Sequence, residues 1–150
     1  RSGDRTYGML ISSDDYDYED EGHLNCTLAF NQWDNIWTRV PMARFGDIHV
    51  LNSLYTCPGT VGINPRMHSA FLIEGNWFEA GVRAFCRFKI LATPPRAYTW
   101  KNNHSEDGEE LPDMGEVTVP YPYTALDPEA ARAAVLASAG PTLEDPLSFR

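Results

Sequence analysis

His23-Leu24-Asn25-Cys26-Thr27-Leu28-Ala29-Phe30 alternates without a break. Leu24, Cys26, Leu28 and Phe30 fall on one side, and Asn25, Thr27 and Ala29 on the other. A period of two is that of a strand with one buried face. The same composition returns on either side of turn signals. Residues 7–12 form a short apolar run, Asn31-Gln32-Trp33-Asp34-Asn35 is turn material, and Ile36-Trp37-Thr38-Arg39-Val40 resumes strand composition until Pro41. Residues 47–57 read as a further strand, with Ile48, Val50 and Leu54 opposite His49, Leu51 and Tyr55. The breaker-rich run of residues 58–65 follows. Residues 68–73 and 82–91 then read as two strands joined by a long hairpin connection over residues 74–81. Residues 96–101 suit a short edge strand and residues 117–119 a last one.

Two segments depart from this pattern. Residues 102–116 are polar and acidic and read as a mobile loop. Asp127-Pro128-Glu129 opens a helix over residues 127–139: aspartate at the N-cap, proline at the first helical position, an acidic first turn, and Gly140 at the C-terminal cap. Residues 141–150 form a tail. No internal repeat is evident. Short strands with turn signals between them predict one all-β domain over residues 1–150, an antiparallel β-sandwich or small β-barrel with one short C-terminal helix.

The chain has 150 residues and a net charge of -9, with 12 basic against 21 acidic residues. That balance opposes binding to nucleic acid through its phosphates and adhesion to an anionic membrane. It favours a basic protein or peptide as partner. No apolar run reaches the length of a membrane-spanning helix. The chain begins at Arg1 without methionine, which fits a processed form or an excised piece. Cys26, Cys57 and Cys86 form no CxxC pair. They suit either three reduced thiols or one disulfide with a spare thiol in a secreted protein. Asn25-Cys26-Thr27 and Asn103-His104-Ser105 fit the glycosylation tripeptide and favour the secreted, extracellular setting, with an intracellular one as the alternative.

Several groups invite a functional reading. Asp14-Asp15-Tyr16-Asp17-Tyr18-Glu19-Asp20-Glu21 must stay solvated or meet a basic surface. In a secreted chain Tyr16 and Tyr18 lie in a context that suits sulfation. Asp14, Asp15 and Asp17 lack the glycine and distal glutamate of a calcium loop, and no cofactor or metal is expected. Arg83, Arg87 and Lys89 line one side of residues 82–91, a strip able to bind an anion or to dock the chain's own acidic segment. Trp77-Phe78 at a hairpin tip would present two rings for binding. The four histidines show no metal-ligand spacing, and no nucleophile elbow or phosphate-binding glycine loop is present.

These features favour a non-enzymatic binding module for a basic partner, possibly a secreted or viral glycoprotein. Its contacts would be residues 14–21 with Trp77 and Phe78. One alternative is an intracellular subunit of a larger assembly contacting basic partners. Another is a small β-rich enzyme or ligand-binding barrel whose pocket combines His49 or His68 with Tyr55 and Glu74 or Glu79.

Overall fold

The structure, a computed structural model, describes residues 6–86 and 93–140. Its strands wind as successive coils, each contributing one strand to each of three sheets. The first coil holds β1 (Leu10–Ile11), β2 (Asn25–Ala29) and β3 (Gln32–Trp33). The second holds β4 (Met42–Ala43), β5 (Asp47–Leu51) and β6 (Leu54–Tyr55). The third holds β7 (Val61–Pro65), β8 (Ala70–Glu74) and β9 (Trp77–Phe78). The fourth holds β10 (Arg83–Phe85), β11 (Ala97–Lys101) and β12 (His104–Ser105). The sheets run β1-β4-β7-β10, β2-β5-β8-β11 and β3-β6-β9-β12, and every strand pairing is parallel. One isolated antiparallel bridge joins Tyr98 to Met114.

This parallel β-helix corrects the antiparallel sandwich or barrel expected from the sequence. Alternation reports that one face of a strand is buried; it does not report the direction of the neighbouring strand. The frequent turn signals mark corners of a coil, not hairpins. Residues 74–81 likewise contain a corner, the strand β9 and a second corner instead of a hairpin connection.

The coils stack like on like. Register places Cys26, Ile48, Phe71 and Tyr98 in one inward row and Leu28, Val50, Ile73 and Trp100 in the next. Trp33, Tyr55 and Phe78 form a third row, their ring centroids 6.3 and 4.4 Å apart, and Trp100 packs on Phe78 at 5.5 Å. Tyr55 and Phe78 are wholly buried. Side chains therefore fill the interior. The Tyr55 hydroxyl donates to the Val40 carbonyl at 2.9 Å, so its burial leaves no polar group unmet.

A polar ladder fixes one corner. Between the second and third sheets each coil turns through two residues: Phe30-Asn31, Asn52-Ser53, Gly75-Asn76 and Asn102-Asn103. The first of each pair is left-handed (φ 56°, 49°, 67° and 45°), a conformation that glycine and asparagine adopt most cheaply. The second of each of the first three pairs bonds to the next coil. Ser53 N–H donates to Asn76 Oδ1 at 2.8 Å, and Asn76 N–H to Asn103 Oδ1 at 3.0 Å. Asn76 Nδ2 reaches the carbonyls of Val50 and Glu74 and Asn103 Oδ1, while Asn103 Nδ2 reaches the Ile73 carbonyl.

The far end is closed by residues 106–113. Their carboxylates accept backbone N–H groups from the last coil: Ala80 onto Glu106 (3.0 Å), Gly81 onto Asp107 (2.8 Å), Ala84 onto Glu109 (2.7 Å) and Trp100 onto Asp113 (2.6 Å). Leu111 is buried in the core beside them. The segment that reads as a mobile acidic loop is thus pinned along an otherwise unpaired strand edge.

Beyond it, residues 114–126 lie along the outside of the second sheet. The helix α1 (Pro128–Ser138) packs on the outside of the third, against β6 and β9. Ala131 and Val135 are its buried residues.

Replacing Asn76 by alanine strands the Ser53 N–H in a dry turn and removes the side-chain bonds to the Val50 and Glu74 carbonyls. Urea unfolding of the variant should show a loss of about 3 kcal/mol.

Candidate substrate cleft

The outer face of the first sheet carries a cleft of about 420 Å³. Successive coils line it: Tyr7 from the first, Trp37 and Arg39 from the second, Asn64 and Arg66 from the third, Arg83 from the fourth. Tyr7, Thr38, Val61 and Arg83 are bridged in sequence across the coils, which sets these side chains along one line. Arg39 is left-handed (φ 63°), so the chain delivers Val40 to the core while Arg39 remains outside. Its guanidinium lies over the Tyr7 ring, 4.5 Å from the centroid.

Charge pairing separates these arginines from the rest. Arg44 and Arg66 both hold Asp15, the second at 2.9 Å. Arg96 pairs with Asp47, Lys101 with Glu74 (2.7 Å) and Arg132 with Glu79 (3.2 Å). Arg39 and Arg83 pair with no carboxylate among the described residues, although the chain carries 21. Two uncompensated guanidinium groups facing one open cleft can bind anionic groups in fork geometry.

The groups singled out in the sequence lie elsewhere, Arg83 excepted. Within residues 14–21, Asp15 clamps Arg44 and Arg66, and Asp17 accepts from Ser13 and from the Asp14 N–H. Tyr18 packs on Phe45 at 5.4 Å, Glu21 lies 3.5 Å from His68, and Tyr16 is exposed. The acidic segment does dock on basic side chains, but those are Arg44 and Arg66. Arg87 and Lys89 lie outside the described residues, as does the 141–150 tail. Phe78 is core, and Trp77 is sandwiched between His104 (4.0 Å) and Arg132 (5.5 Å). Asn25 is exposed on β2, whereas both ends of the Asn103 amide are committed to the ladder. No disulfide joins Cys26, Cys57 and Cys86.

His49 and Glu74 lie within electrostatic reach of each other under residues 114–126, and the cavity of about 270 Å³ that His49 lines there includes none of Glu74, Tyr55 and His68. Tyr121 OH contacts His49 Nδ1 at 2.7 Å and Thr27 Oγ1 at 2.5 Å. Tyr123 OH donates to Glu74 Oε2 at 2.6 Å and its ring packs edge-on against His49. Burial lowers the pKa of His49 and outweighs the nearby Glu74 carboxylate, and its Nε2 is buried without a partner. Burial raises the pKa of Glu74, but hydrogen bonds from Lys101 and Tyr123 more than offset this and leave it lowered. Tyr123 is pushed up to about 12 by burial and by Glu74.

Sequence reasoning missed Tyr7, Trp37, Arg39 and Arg66 as partners in one site. Apart from Trp37 and Arg39, which share a coil, they are a coil or more apart, so no local spacing joins them.

The protein is thus a parallel β-helix with an arginine-bearing cleft running across its coils. Comparison with known proteins gives its family. The family model described as pectate lyase matches residues 3–107. A probable pectate lyase A from Aspergillus niger is 38% identical over 136 residues, 90% of this chain and 40% of that protein. Pectate lyase C from Erwinia chrysanthemi, determined with calcium, superposes with a TM-score of 0.70 at 23% identity over 91% of this chain and 45% of its own. A Bacillus pectate lyase in complex with trigalacturonate gives 0.61 at 21% identity, over 73% of this chain and 38% of its own.

The chain belongs to the pectate lyase family, and it spans about two fifths of the length of the relatives it matches. Membership overturns the reading as a non-enzymatic, protein-binding or viral module, because the family takes its name from an enzyme activity. It also overturns the basic protein or peptide partner, since the solved relative holds an acidic sugar. Net charge describes the whole surface, whereas a ligand meets one cleft. An extracellular location is consistent with the family. Among the described residues no three of His, Cys, Asp or Glu converge to hold a metal.

His49 gives a pH signature. The unfolded chain takes up a proton near the ordinary value of 6.5, whereas the folded chain resists it until lower pH. Thermal stability should therefore fall as pH drops below 6.5, and His49→Gln should flatten that part of the profile. Glu74 acts in a separate, more acidic window: its contribution is present above its ordinary value of 4.5 and is lost as pH falls below it.

Proposed function

We propose that this chain is the part of an extracellular pectate lyase that binds polygalacturonate across the first sheet. The observation that carries the reading is the pairing census: of the described basic residues, Arg39 and Arg83 alone lack a carboxylate, and both line the cleft. A galacturonate chain carries one carboxylate on every sugar ring and meets that need with repeated, regularly spaced anions. Parallel coils about 4.8 Å apart offer a matching repeated surface.

The same arginines suit the chemistry. In lyase cleavage a base takes the proton α to a ring's carboxylate, a double bond forms to the neighbouring carbon, and the glycosidic oxygen on that carbon leaves and is protonated to a hydroxyl. Negative charge grows on the carboxylate as that proton leaves. A guanidinium already paired to it stabilises this charge without reorganising. Arg39, fixed over Tyr7, is the residue we place at the reacting ring, and Arg83 holds a neighbouring carboxylate. Arg66 is partly neutralised by Asp15 and positions the wall.

Trigalacturonate binding, followed by calorimetry, tests this directly. Arg83→Gln should weaken binding about tenfold, as loss of one charge-assisted pair does, and the deficit should shrink as salt is raised. Arg39→Gln should weaken it similarly and also abolish any unsaturated product seen by ultraviolet absorbance. Full affinity in both variants would place the polymer elsewhere.

A further inference from the structure

One wall of the cleft is aromatic. Tyr7 is 52% exposed and Trp37 40% exposed, unusual values for rings that touch each other edge-on at 6.1 Å. Most exposed rings of this chain lie away from the arginines. Tyr16 and Tyr18 belong to the acidic segment, and Tyr121 and Tyr123 lie over the second sheet.

The pair is also held rigidly. The Trp37 N–H donates to the Thr6 carbonyl (3.0 Å) and to Thr6 Oγ1 (3.2 Å), and Thr6 Oγ1 in turn donates to the Asn35 carbonyl (2.8 Å). The Trp37 carbonyl accepts the Val61 N–H (2.7 Å). Gly8 follows Tyr7 where a Cβ would meet the Arg39 carbonyl and Val40, so the two coils approach as closely as backbone permits. A fixed aromatic surface beside a fixed cation loses little conformational freedom on binding.

We infer that the edge-on pair Tyr7 and Trp37 forms an aromatic corner against which one uronate ring packs through its C–H groups while Arg39 takes a carboxylate. The inference rests on the reading of the cleft as a uronate site. A pyranose ring is amphipathic: its hydroxyls and carboxylate point outward at the rim, and one face presents C–H groups. Tyrosine and tryptophan match this with a flat apolar body and a polar tip. The Arg39 guanidinium covers one face of Tyr7, 4.5 Å from its centroid, and so lies at the rim of a sugar packed into the corner beside it. Arginine alone would hold a carboxylate by charge and let the ring swivel. An aromatic wall fixes the ring plane, and with it the direction of the bond to be broken.

Salt separates the two contributions, because the guanidinium pair is screened by ions and the aromatic contact is not. The test titrates the whole chain with trigalacturonate at low and high salt, with circular dichroism as the check on folding. Trp37→Ala should weaken binding about tenfold at both salt concentrations and leave the salt dependence as in the wild type. Tyr7→Ala should do the same, and Tyr7→Phe, which keeps the ring, should bind like the wild type. Arg83→Gln should weaken binding mainly at low salt. If Trp37→Ala and Tyr7→Ala bind normally while Arg83→Gln does not, the aromatic corner is refuted and the uronate cleft stands. If Tyr7→Phe is as weak as Tyr7→Ala, the hydroxyl acts and not the ring, which also refutes it. If none of the four variants differs from wild type, both readings fall.

Discussion

Asn76 and its neighbours in the ladder hold the coils in register, and the rest of the molecule depends on that register. A parallel strand pair cannot be joined by a tight turn, so each coil must travel round the whole cross-section before it meets its neighbour. Nothing local fixes how far it should travel. The two-residue corner does so, because Asn31, Ser53, Asn76 and Asn103 satisfy one another only when stacked. A slip of one residue would break these bonds and also turn the stacked row Trp33, Tyr55 and Phe78 out of the core. Polar corner and apolar rows therefore specify the same register. The cost of leaving a buried amide unpaired makes the corner the stricter of the two.

Carboxylates do two kinds of work in this chain, and neither was visible in their number. Glu106, Asp107, Glu109 and Asp113 accept backbone N–H groups from the last coil and so close an edge that would otherwise invite pairing with another strand. Asp15, Asp47, Glu74 and Glu79 neutralise the other described basic side chains, Arg66 at the cleft wall among them. With those charges accounted for, Arg39 and Arg83 remain among the described residues. A net charge of -9 thus coexists with a locally cationic cleft, because screening confines each exposed charge to a neighbourhood of about 10 Å.

What was legible in the sequence was the inside-outside pattern, and what was not was everything set by distant pairing. Cys26 and Leu28 face inward, as the alternation of residues 23–30 implied; Phe30 does not, because its left-handed backbone begins a corner. Residues 47–57 read as one strand but form two, and Tyr55, read as lying opposite Ile48 and Val50, joins them in the core. Asn52-Ser53 breaks the alternation between them, and a corner reverses which parity points inward. The coil repeat escaped notice because its other corners differ in length, from residues 44–46 to residues 12–24. Its aligned positions also vary freely, with Trp33, Tyr55, Phe78 and Ser105 sharing one column. The cleft was hidden for the same reason: Tyr7, Arg39 and Arg83 lie one or more coils apart, and no periodicity in the chain brings them to mind as neighbours.

The position of the cleft follows from how the other two faces are used. A coil with three sheets has three outward faces, and each must be solvated, covered or put to use. Residues 114–126 cover the second: Tyr121 and Tyr123 bring hydroxyls to His49 and Glu74, so that face tolerates buried polar groups in its outward rows. Helix α1 covers the third, through Ala131, Val135 and the Arg132–Glu79 pair. Among the described residues no comparable segment lies over the first sheet. Its outward side chains are free to differ from coil to coil without disturbing packing, and there aromatic rings and uncompensated arginines accumulate. The ladder sits at the corner between the second and third sheets, away from this face. Substitutions in the cleft can therefore alter binding while leaving intact the corner that holds the coils in register.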